Sequence, residues 1–430
     1  MPRALLLSEL FPPALGGSAV LFENVYSRLE GVGVTVVTDA ARSPGPERER
    51  RGRLTVLRRP IATRRFGVLE RGALGHHLRV AAMVRRTARE LARGNGHDGH
   101  GAGDRSGAGA GTVVHCGRAL PEGVAARLAR ALGGPRYVCW AHGEDVATAL
   151  TSRELAFLQK RVYSGAAAVV ANSRSTAGLL EAIGVAPARI RVVHPGVDAS
   201  RFRPDVDGTA VRRRLAPDGR GPVVLSVGRL QRRKGHDLAI AAVAALREEL
   251  PDLRYVLVGD GEERARLESL AANAGVADRV VFAGEVADED LPAYYAACDI
   301  FALPNRVDGA DIEGFGIVFL EAQAAGKAVV GGRSGGVPEA VADLATGLLV
   351  SGREVEELAA AIRRLARDAS LRAALGRAGR ERVLRAFTWE AAASAVAAVH
   401  AGVAVPADRR SNAAAAKASM GSSGSERSEP

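Results

Sequence analysis

The stretch Pro222-Val-Val-Leu-Ser-Val-Gly-Arg229-Leu-Gln-Arg-Arg-Lys234-Gly235-His-Asp237 decides the fold. A short apolar run ends in glycine, passes through a basic turn and enters a helix opened by another glycine. That is the strand–turn–helix unit from which parallel sheets are built. The rhythm continues towards the C-terminus, with strands expected at Tyr255–Val258, Val280–Ala283, Asp299–Leu303 and Ala328–Gly331. Helical patterns follow over Glu354–Arg367, Leu371–Phe387 and from Trp389 to about Ala401. Towards the N-terminus a second series of strands is expected at Ala4–Ser8, Val34–Thr38, Thr112–Cys116, Tyr137–Trp140, Ala168–Ala171 and Arg191–Val193.

Two series of this kind in 430 residues predict two α/β domains, each a doubly wound parallel sheet, since one core rarely organises so long a chain. The expected partition is a Rossmann-like domain over 1–195, a polar linker over 196–221 and a second Rossmann-like domain over 222–388. A closing helix follows over 389–404, and the Ala/Ser/Gly/Arg-rich tail 405–430 reads as disordered. Gly94–Gly111, rich in Gly, His and Asp, reads as a solvated loop. Sheets of this type bind ligands outside the C-terminal ends of their strands, so the expected site is a crevice between the two domains.

Composition narrows the function. The formal charge is +11, carried almost entirely by arginine, with lysine only at 160, 234, 327 and 417. The arginines are mixed with acids along helices, without aromatic interleaving or a basic tail, which argues against nucleic acid. Attraction to an anionic membrane surface is consistent with the charge. No apolar run approaches the length of a membrane span, and the N-terminus lacks the pattern of a signal peptide. Cys116, Cys139 and Cys298 show neither metal-binding nor disulfide spacing. Together these features predict a cytoplasmic protein, with peripheral contact at the inner face of the membrane as an option.

The strongest chemical signal is Glu313-Gly-Phe-Gly-Ile-Val-Phe-Leu-Glu321. Glu313 is expected in the loop after a strand and Glu321 one or two turns inside the next helix. Between them, Gly314, Phe315, Gly316 and Ile317 offer backbone amides at a helix start, a natural seat for a diphosphate. The two acids would accept hydrogen bonds from hydroxyls on either side. A surface acid and a helix-dipole acid would give the same letters, but the surrounding pattern favours a site. In the opening stretch, Gly228 ends a strand and Arg229 and Lys234 stand five residues apart, suited to gripping phosphate. Lys234 is informative in a chain that otherwise uses arginine, whereas Arg232 and Arg233 read as cations of a surface loop.

Further signals are weaker. Phe11-Pro-Pro-Ala-Leu-Gly16-Gly17 puts a Gly-Gly turn after the first strand; it lacks the dinucleotide fingerprint, and Asp39 does not supply one. His142, with Glu144 and Asp145 just beyond it, follows a buried strand where site residues belong, although a lone histidine is often structural. Asp260-Gly261, after another strand, either approaches a base or caps the next helix. His236 and Asp237 read as a helix cap. His97 and His100 lack further ligands for a metal, and Asp205-Val-Asp207 and Asp288-Glu-Asp290 are unconvincing as metal carriers. No metal site and no cofactor are expected.

These motifs together resemble glycosyltransferase family 4 of the GT-B fold over nearly the whole chain. The run Ala302-Leu-Pro-Asn-Arg306 with Asp311-Ile-Glu-Gly-Phe-Gly-Ile-Val-Phe-Leu-Glu321 is similar to the phosphatidylinositol mannosyltransferase branch, and Ala141-His-Gly-Glu-Asp145 to enzymes of exopolysaccharide clusters. The resemblance implies a retaining, metal-independent hexosyltransferase with a nucleotide diphosphate sugar, GDP-mannose among the candidates, as donor. Its acceptor would be a lipid-linked sugar or a polysaccharide. It implies that Arg229 and Lys234 hold the diphosphate, that Glu313 contacts the sugar and Glu321 the ribose. Gly314 to Ile317 would face sugar and phosphate, Gly17 the phosphate, His142 the sugar, and Phe282–Val286, ending at Val286, the base. Gly16, Glu144 and Asp145 would lie on the acceptor side, and the helix from Trp389 would cross back to the first domain. The linker departs from the family's usual Asn-Gly-Val-Asp, reading His194-Pro-Gly-Val-Asp198. A nucleotide-sugar epimerase or a sugar phosphorylase of the same fold is the alternative.

Overall fold

The strands form where β-branched and leucine runs can be buried on both faces. The computed structural model describes residues 2–14, 16–63, 73–93, 111–217 and 220–404. The loop expected at 94–111, apart from Gly111, with His97 and His100, and the tail 405–430 lie outside the described residues. The first sheet comprises β1 (Arg3–Ser8), β2 (Gly33–Asp39), β3 (Arg48–Arg51), β4 (Leu54–Arg59), β5 (Thr112–Cys116), β6 (Tyr137–Ala141), β7 (Ala168–Ala171) and β8 (Ile190–Val192). Their order is β3-β4-β2-β1-β5-β6-β7-β8. β1 pairs in parallel with β2 and β5, while β3 runs antiparallel to β4 at the edge. That edge pair was not expected from sequence, because Arg48-Glu-Arg-Arg51 carries the charge that keeps edges soluble and reads as loop.

The second sheet comprises β9 (Val223–Val227), β10 (Arg254–Val258), β11 (Val280–Gly284), β12 (Ile300–Leu303), β13 (Ala328–Gly332) and β14 (Gly347–Val350). The order is β11-β10-β9-β12-β13-β14, with every pairing parallel. Its faces are both buried: Leu225, Phe301, Leu303 and Val329 pack on one side, and Val224, Ile300, Ala302 and Val330 on the other. Alternation along one strand therefore feeds two cores, which is why these strands read as continuous apolar runs. Chain order reverses about β9, so β9 and β12 are neighbours whose connections leave in opposite directions. The gap beyond their C-terminal ends is the switch point where doubly wound sheets take ligands.

The chain divides into two compact units, one from Met1–Trp140, Arg161–Val169 and Ser394–Pro430, the other from Ala141–Lys160 and Val170–Ala393. Segments 141–160 and 170–195, counted with the first domain in the linear partition, thus group with the second. The stretch read as a linker is packed: it contains the helix Thr209–Leu215, and Phe202 and Leu215 are buried in the second core. In the first unit a buried polar chain crosses the core. Trp140 Nε1 donates to the Tyr26 hydroxyl at 3.0 Å, that hydroxyl meets His115 Nδ1 at 2.8 Å, and His115 Nε2 meets His400 Nδ1 at 3.0 Å. Residues from Ser394 onward of the helix Trp389–Ala404 are thereby tied to the first unit. No helix among the described residues is long and apolar enough to cross a membrane.

Candidate functional site

Two loops meet at the switch point of the second sheet. The loop after β9 turns through Gly228, forms one tight turn over Arg232–Lys234 and enters the helix His236–Ala245 through Gly235. Gly235, rather than His236 or Asp237, is the cap residue; Asp237 instead pairs with Arg306 at 2.9 Å. The loop after β12 runs from Pro304 to Gly316 and enters the helix Ile317–Ala324, for which Gly316 is the N-cap.

Lys234 and Glu313 come together across these loops. Lys234 Nζ donates to Glu313 Oε2 at 2.6 Å, and both residues are only 8% exposed. Arg233 Nη1 reaches the same oxygen at 2.8 Å, and so does Asn305 Nδ2. Arg233 is 9% exposed, so the sequence reading of it as a surface-loop cation is corrected. Its Nε faces Asp311 Oδ1 at 2.8 Å as an ion pair without hydrogen-bond alignment, and its Nη2 lies 3.9 Å from Glu144. Burial alone would raise the Glu313 carboxyl, but the Lys234 and Arg233 charges outweigh it and hold the group below its ordinary range. Burial drags the Lys234 ammonium down, with Glu313 opposing. Two carboxylates and two cations are thus packed together beyond the C-terminal ends of β9 and β12, a cluster that an anionic ligand would reorganise.

Close approach explains the glycine after Glu313. A Cβ at Gly314 would overlap the His142 carbonyl oxygen and the Asn172 amide. His142 is set by its own loop: its N–H donates to Asp145 Oδ1 at 2.8 Å and its carbonyl accepts from Asn172 Nδ2 at 3.1 Å. Gly335, at φ 54°, packs its Cα against the Glu313 carbonyl, so the turn before the helix Val337–Ala340 backs the same loop. From that short helix Glu339 accepts from His194 Nε2 at 2.7 Å and from the Arg174 and Ser175 amides at 2.8 and 3.1 Å. The histidine that departs from the family's linker motif therefore has a partner, and its ring also lies 5.4 Å from that of Phe315.

Other expected site residues are placed variously. Arg229 is exposed, and its side chain has no partner among the described residues. Glu321 accepts from the Tyr295 hydroxyl at 2.6 Å. Burial raises its carboxyl to about 7, against the Tyr295 hydrogen bond and the Arg201 charge. The Phe315 side chain is 2% exposed and belongs to the core, so a ligand would meet its backbone only. Ile317 is the first residue of its helix, and Val286 is partly buried against the core. Asp260 pairs with Arg264 at 3.2 Å and accepts from the Gly261 amide. Glu144 and Asp145 open the helix Glu144–Ala149. Gly16 and Gly17 open the helix Gly17–Ser27 in the first unit. Asp39 is consumed by the amides of Ala41, Arg42, Ile61 and Ala62, which leaves it no ribose role. Asp205 pairs with Arg203 and Asp288 with Arg201, and among the described residues no three His, Cys, Asp or Glu gather as metal ligands. Sequence reasoning missed Arg233, Asn305, Asp311, Tyr295 and Glu339. An Arg beside the informative Lys234 and an Asn just past a strand end were the only hints.

A charged cluster at the switch point of one of two Rossmann-like sheets is the build of a GT-B glycosyltransferase. Two family models match in tandem: Glycosyltransferase Family 4 over residues 15–201 and Glycosyl transferases group 1 over residues 207–382. The chain is 34% identical over 413 residues to a GDP-mannose-dependent α-(1-6)-phosphatidylinositol monomannoside mannosyltransferase of Mycobacterium tuberculosis, covering 92% of this chain and 97% of that one. A D-inositol 3-phosphate glycosyltransferase of Salinispora tropica is 40% identical over 247 residues, 54% of this chain and 50% of its own length. Among solved structures, sucrose-phosphate synthase from Thermosynechococcus elongatus superposes with a TM-score of 0.73 at 24% identity, covering 94% of this chain and 99% of the other. Anabaena HepE in complex with UDP gives 0.73 at 20% identity, covering 93% and 100%. The chain belongs to glycosyltransferase family 4 and is a hexosyltransferase that uses a nucleotide sugar.

Proposed function

We propose that this enzyme transfers mannose from GDP-mannose, with retention, to a lipid-linked acceptor of the phosphatidylinositol mannoside class. The observation that carries the donor site is the Lys234–Glu313 pair at the β9/β12 switch point, 2.6 Å apart and buried. The full-length similarity to a mannosyltransferase with that donor and acceptor supports the choice of sugar and lipid. In this reading the second Rossmann-like domain, 222–388, holds the donor and the first, 1–195, the acceptor.

The donor's diphosphate seats on the amides of Gly314 to Ile317 and draws Lys234 from Glu313, with exposed Arg229 as the second cation. Gly17 meets the phosphate, His142 and Glu313 face the sugar, and Glu321 takes the ribose. Asp260, Gly261 and Val286 border the base. Gly16, Glu144 and Asp145 lie towards the acceptor. The acceptor hydroxyl attacks the anomeric carbon on the face that the diphosphate leaves. The carbon–oxygen bond to phosphate breaks with its electron pair, and a β-phosphate oxygen takes the hydroxyl proton. Lys234 and Arg229 stabilise the charge that builds on the leaving group, a role that commonly contributes about 10²–10³ in rate per donor. No metal takes part in this scheme, and work proceeds at the cytoplasmic face of the membrane, which the net charge of +11 favours.

The deciding experiment measures transfer from GDP-mannose by wild type, Lys234→Ala and Glu313→Ala. Near wild-type turnover in both variants would sink the site. A thermal-shift panel of GDP-, UDP- and ADP-sugars fixes the donor, since ligand at 100 times its Kd stabilises by about 2.7 kcal/mol. NMR of the product reports the anomer, and conversion of donor without acceptor would reveal an epimerase instead. Activity unchanged by EDTA is expected, as is co-sedimentation with anionic vesicles.

A further inference from the structure

Three donors converge on one oxygen of Glu313. Arg233 Nη1, Lys234 Nζ and Asn305 Nδ2 all meet Oε2, at 2.8, 2.6 and 2.8 Å, and no hydrogen bond among the described residues reaches Oε1. On the donor-site reading above, on which this inference rests, Lys234 has a second anion to serve. When it turns to the diphosphate, something else must keep a buried carboxylate charged and still, or the acid takes up a proton or swings.

We propose that Arg233 and Asn305 are positioning residues that clamp Glu313 through Oε2, so that Oε1 alone is presented to the transferred sugar while Lys234 follows the diphosphate. Arg233 has the geometry for this. Its planar fork reaches Glu313 through Nη1, Asp311 through Nε and, at 3.9 Å, Glu144 through Nη2. One side chain therefore ties the Glu313 loop to the helix start that follows His142, which a single ammonium could not do. Asn305, fully buried just past β12, adds a neutral donor that does not compete for phosphate. Its Oδ1 has no partner, so the residue's one side-chain commitment there is to Glu313. The charged groups facing Glu313 are Lys234 and Arg233 from the turn after β9, Asp311 from its own loop and Glu144 beyond Arg233. Arg233 is thus one of two cations that keep Glu313 ionised.

The test uses the full chain with GDP-mannose and a phosphatidylinositol monomannoside acceptor in micelles, with GDP binding measured separately. Arg233→Met is expected to lower kcat about 100-fold and Asn305→Ala about 10-fold, with the donor KM and GDP affinity within threefold of wild type. In Arg233→Met the acid limb of kcat/KM moves up by about one pH unit, because Glu313 has lost a neighbouring cation. Arg233→Lys restores the limb but only part of kcat. A purely structural role would lower the melting temperature without moving the limb. If Arg233→Met does not fold, Asn305→Ala carries the kcat-against-KM test by itself. A wild-type enzyme active with these substrates, alongside variants within threefold in kcat and with an unmoved limb, overturns this inference only. Absence of transfer from any nucleotide sugar by wild type overturns the donor-site reading and this inference with it.

Discussion

The Tyr295 hydroxyl donates to Glu321 Oε2 at 2.6 Å, so the second acid of the Glu-x7-Glu element is held from the helix Leu291–Ala297. The first acid is held by cations and the second by a neutral hydroxyl, and their protonation behaviour separates accordingly. Glu313 lies below the ordinary range, while burial lifts Glu321 from 4.5 to about 7.

That separation predicts a pH-dependent stability. Because the folded pKa of Glu321 exceeds its unfolded value, folding takes up a proton between about 4.5 and 7. The contribution is full below that window and is lost as pH rises through it. Glu321→Gln, which cannot ionise, should therefore melt above wild type at pH 8, by about 1–3 kcal/mol, with the gap closing by pH 5. A constant gap across this range would refute the account. Donor affinity should fall in the same variant, the usual conflict between stability and a binding site.

The buried imidazoles of the first unit predict the opposite slope. Desolvation lowers His115, with His400 adding to it, and desolvation lowers His400. Burial disfavours the protonated form of both, so their contribution is present above the unfolded value of 6.5 and is lost as the pH falls through their lowered folded values. Each imidazole accounts for at most about 1.4 kcal/mol per pH unit. His400→Gln keeps a hydrogen-bonding group beside His115 but cannot take a proton. Melting curves between pH 7 and 5 should fall less steeply for this variant than for wild type.

Leu344 sits at φ 61° and is 69% exposed, a left-handed leucine whose side chain packs on little. Leu344→Gly should stabilise the fold by about 0.5–1 kcal/mol, the left-handed strain removed less the entropy that glycine adds. A urea midpoint at or below that of wild type would contradict this. Transfer activity should not change.

Gly314→Ala and Gly178→Ala form a contrasting pair. The added methyl at 314 overlaps the His142 carbonyl, a backbone atom that cannot move aside, whereas at 178, in the helix Arg174–Ala182, it meets open space. Gly314→Ala should cost about 100-fold in kcat/KM through displacement of the Glu313 loop. Gly178→Ala should add about 0.5–1 kcal/mol of stability at full activity. Kinetics and melts of the two proteins check both statements.

What could be read from the residues and what could not divide along physical lines. The alternation of apolar runs with helical periods reports burial, a local property of each segment, so the parallel core strands of both sheets and the closing helices were legible. β3, β4 and β14 were not: β3 is a charged edge strand, β14 a four-residue edge strand, and β4, although interior, is half-buried and ends in Arg58 and Arg59. Gly-flanked helix starts and an isolated lysine marked Lys234, Glu313 and Glu321, since glycine and rare cations stand out by type. Arg233 did not stand out among so many arginines. Its burial follows from the sheet order, which sets β9 beside β12 although 72 residues separate Val227 from Ile300, and from the loop after β12 folding back over it.

The amino-acid sequence by itself therefore determined the fold class, the family and the segments that carry the chemistry, because periodicity and residue type are written along the chain. Only the tertiary structure decided which charges share an oxygen, which carboxylate is lifted and which held down, and that Asp39 is consumed by backbone amides. Those outcomes depend on distance and burial between residues remote in the chain, and electrostatic energies change with every ångström and with the loss of water.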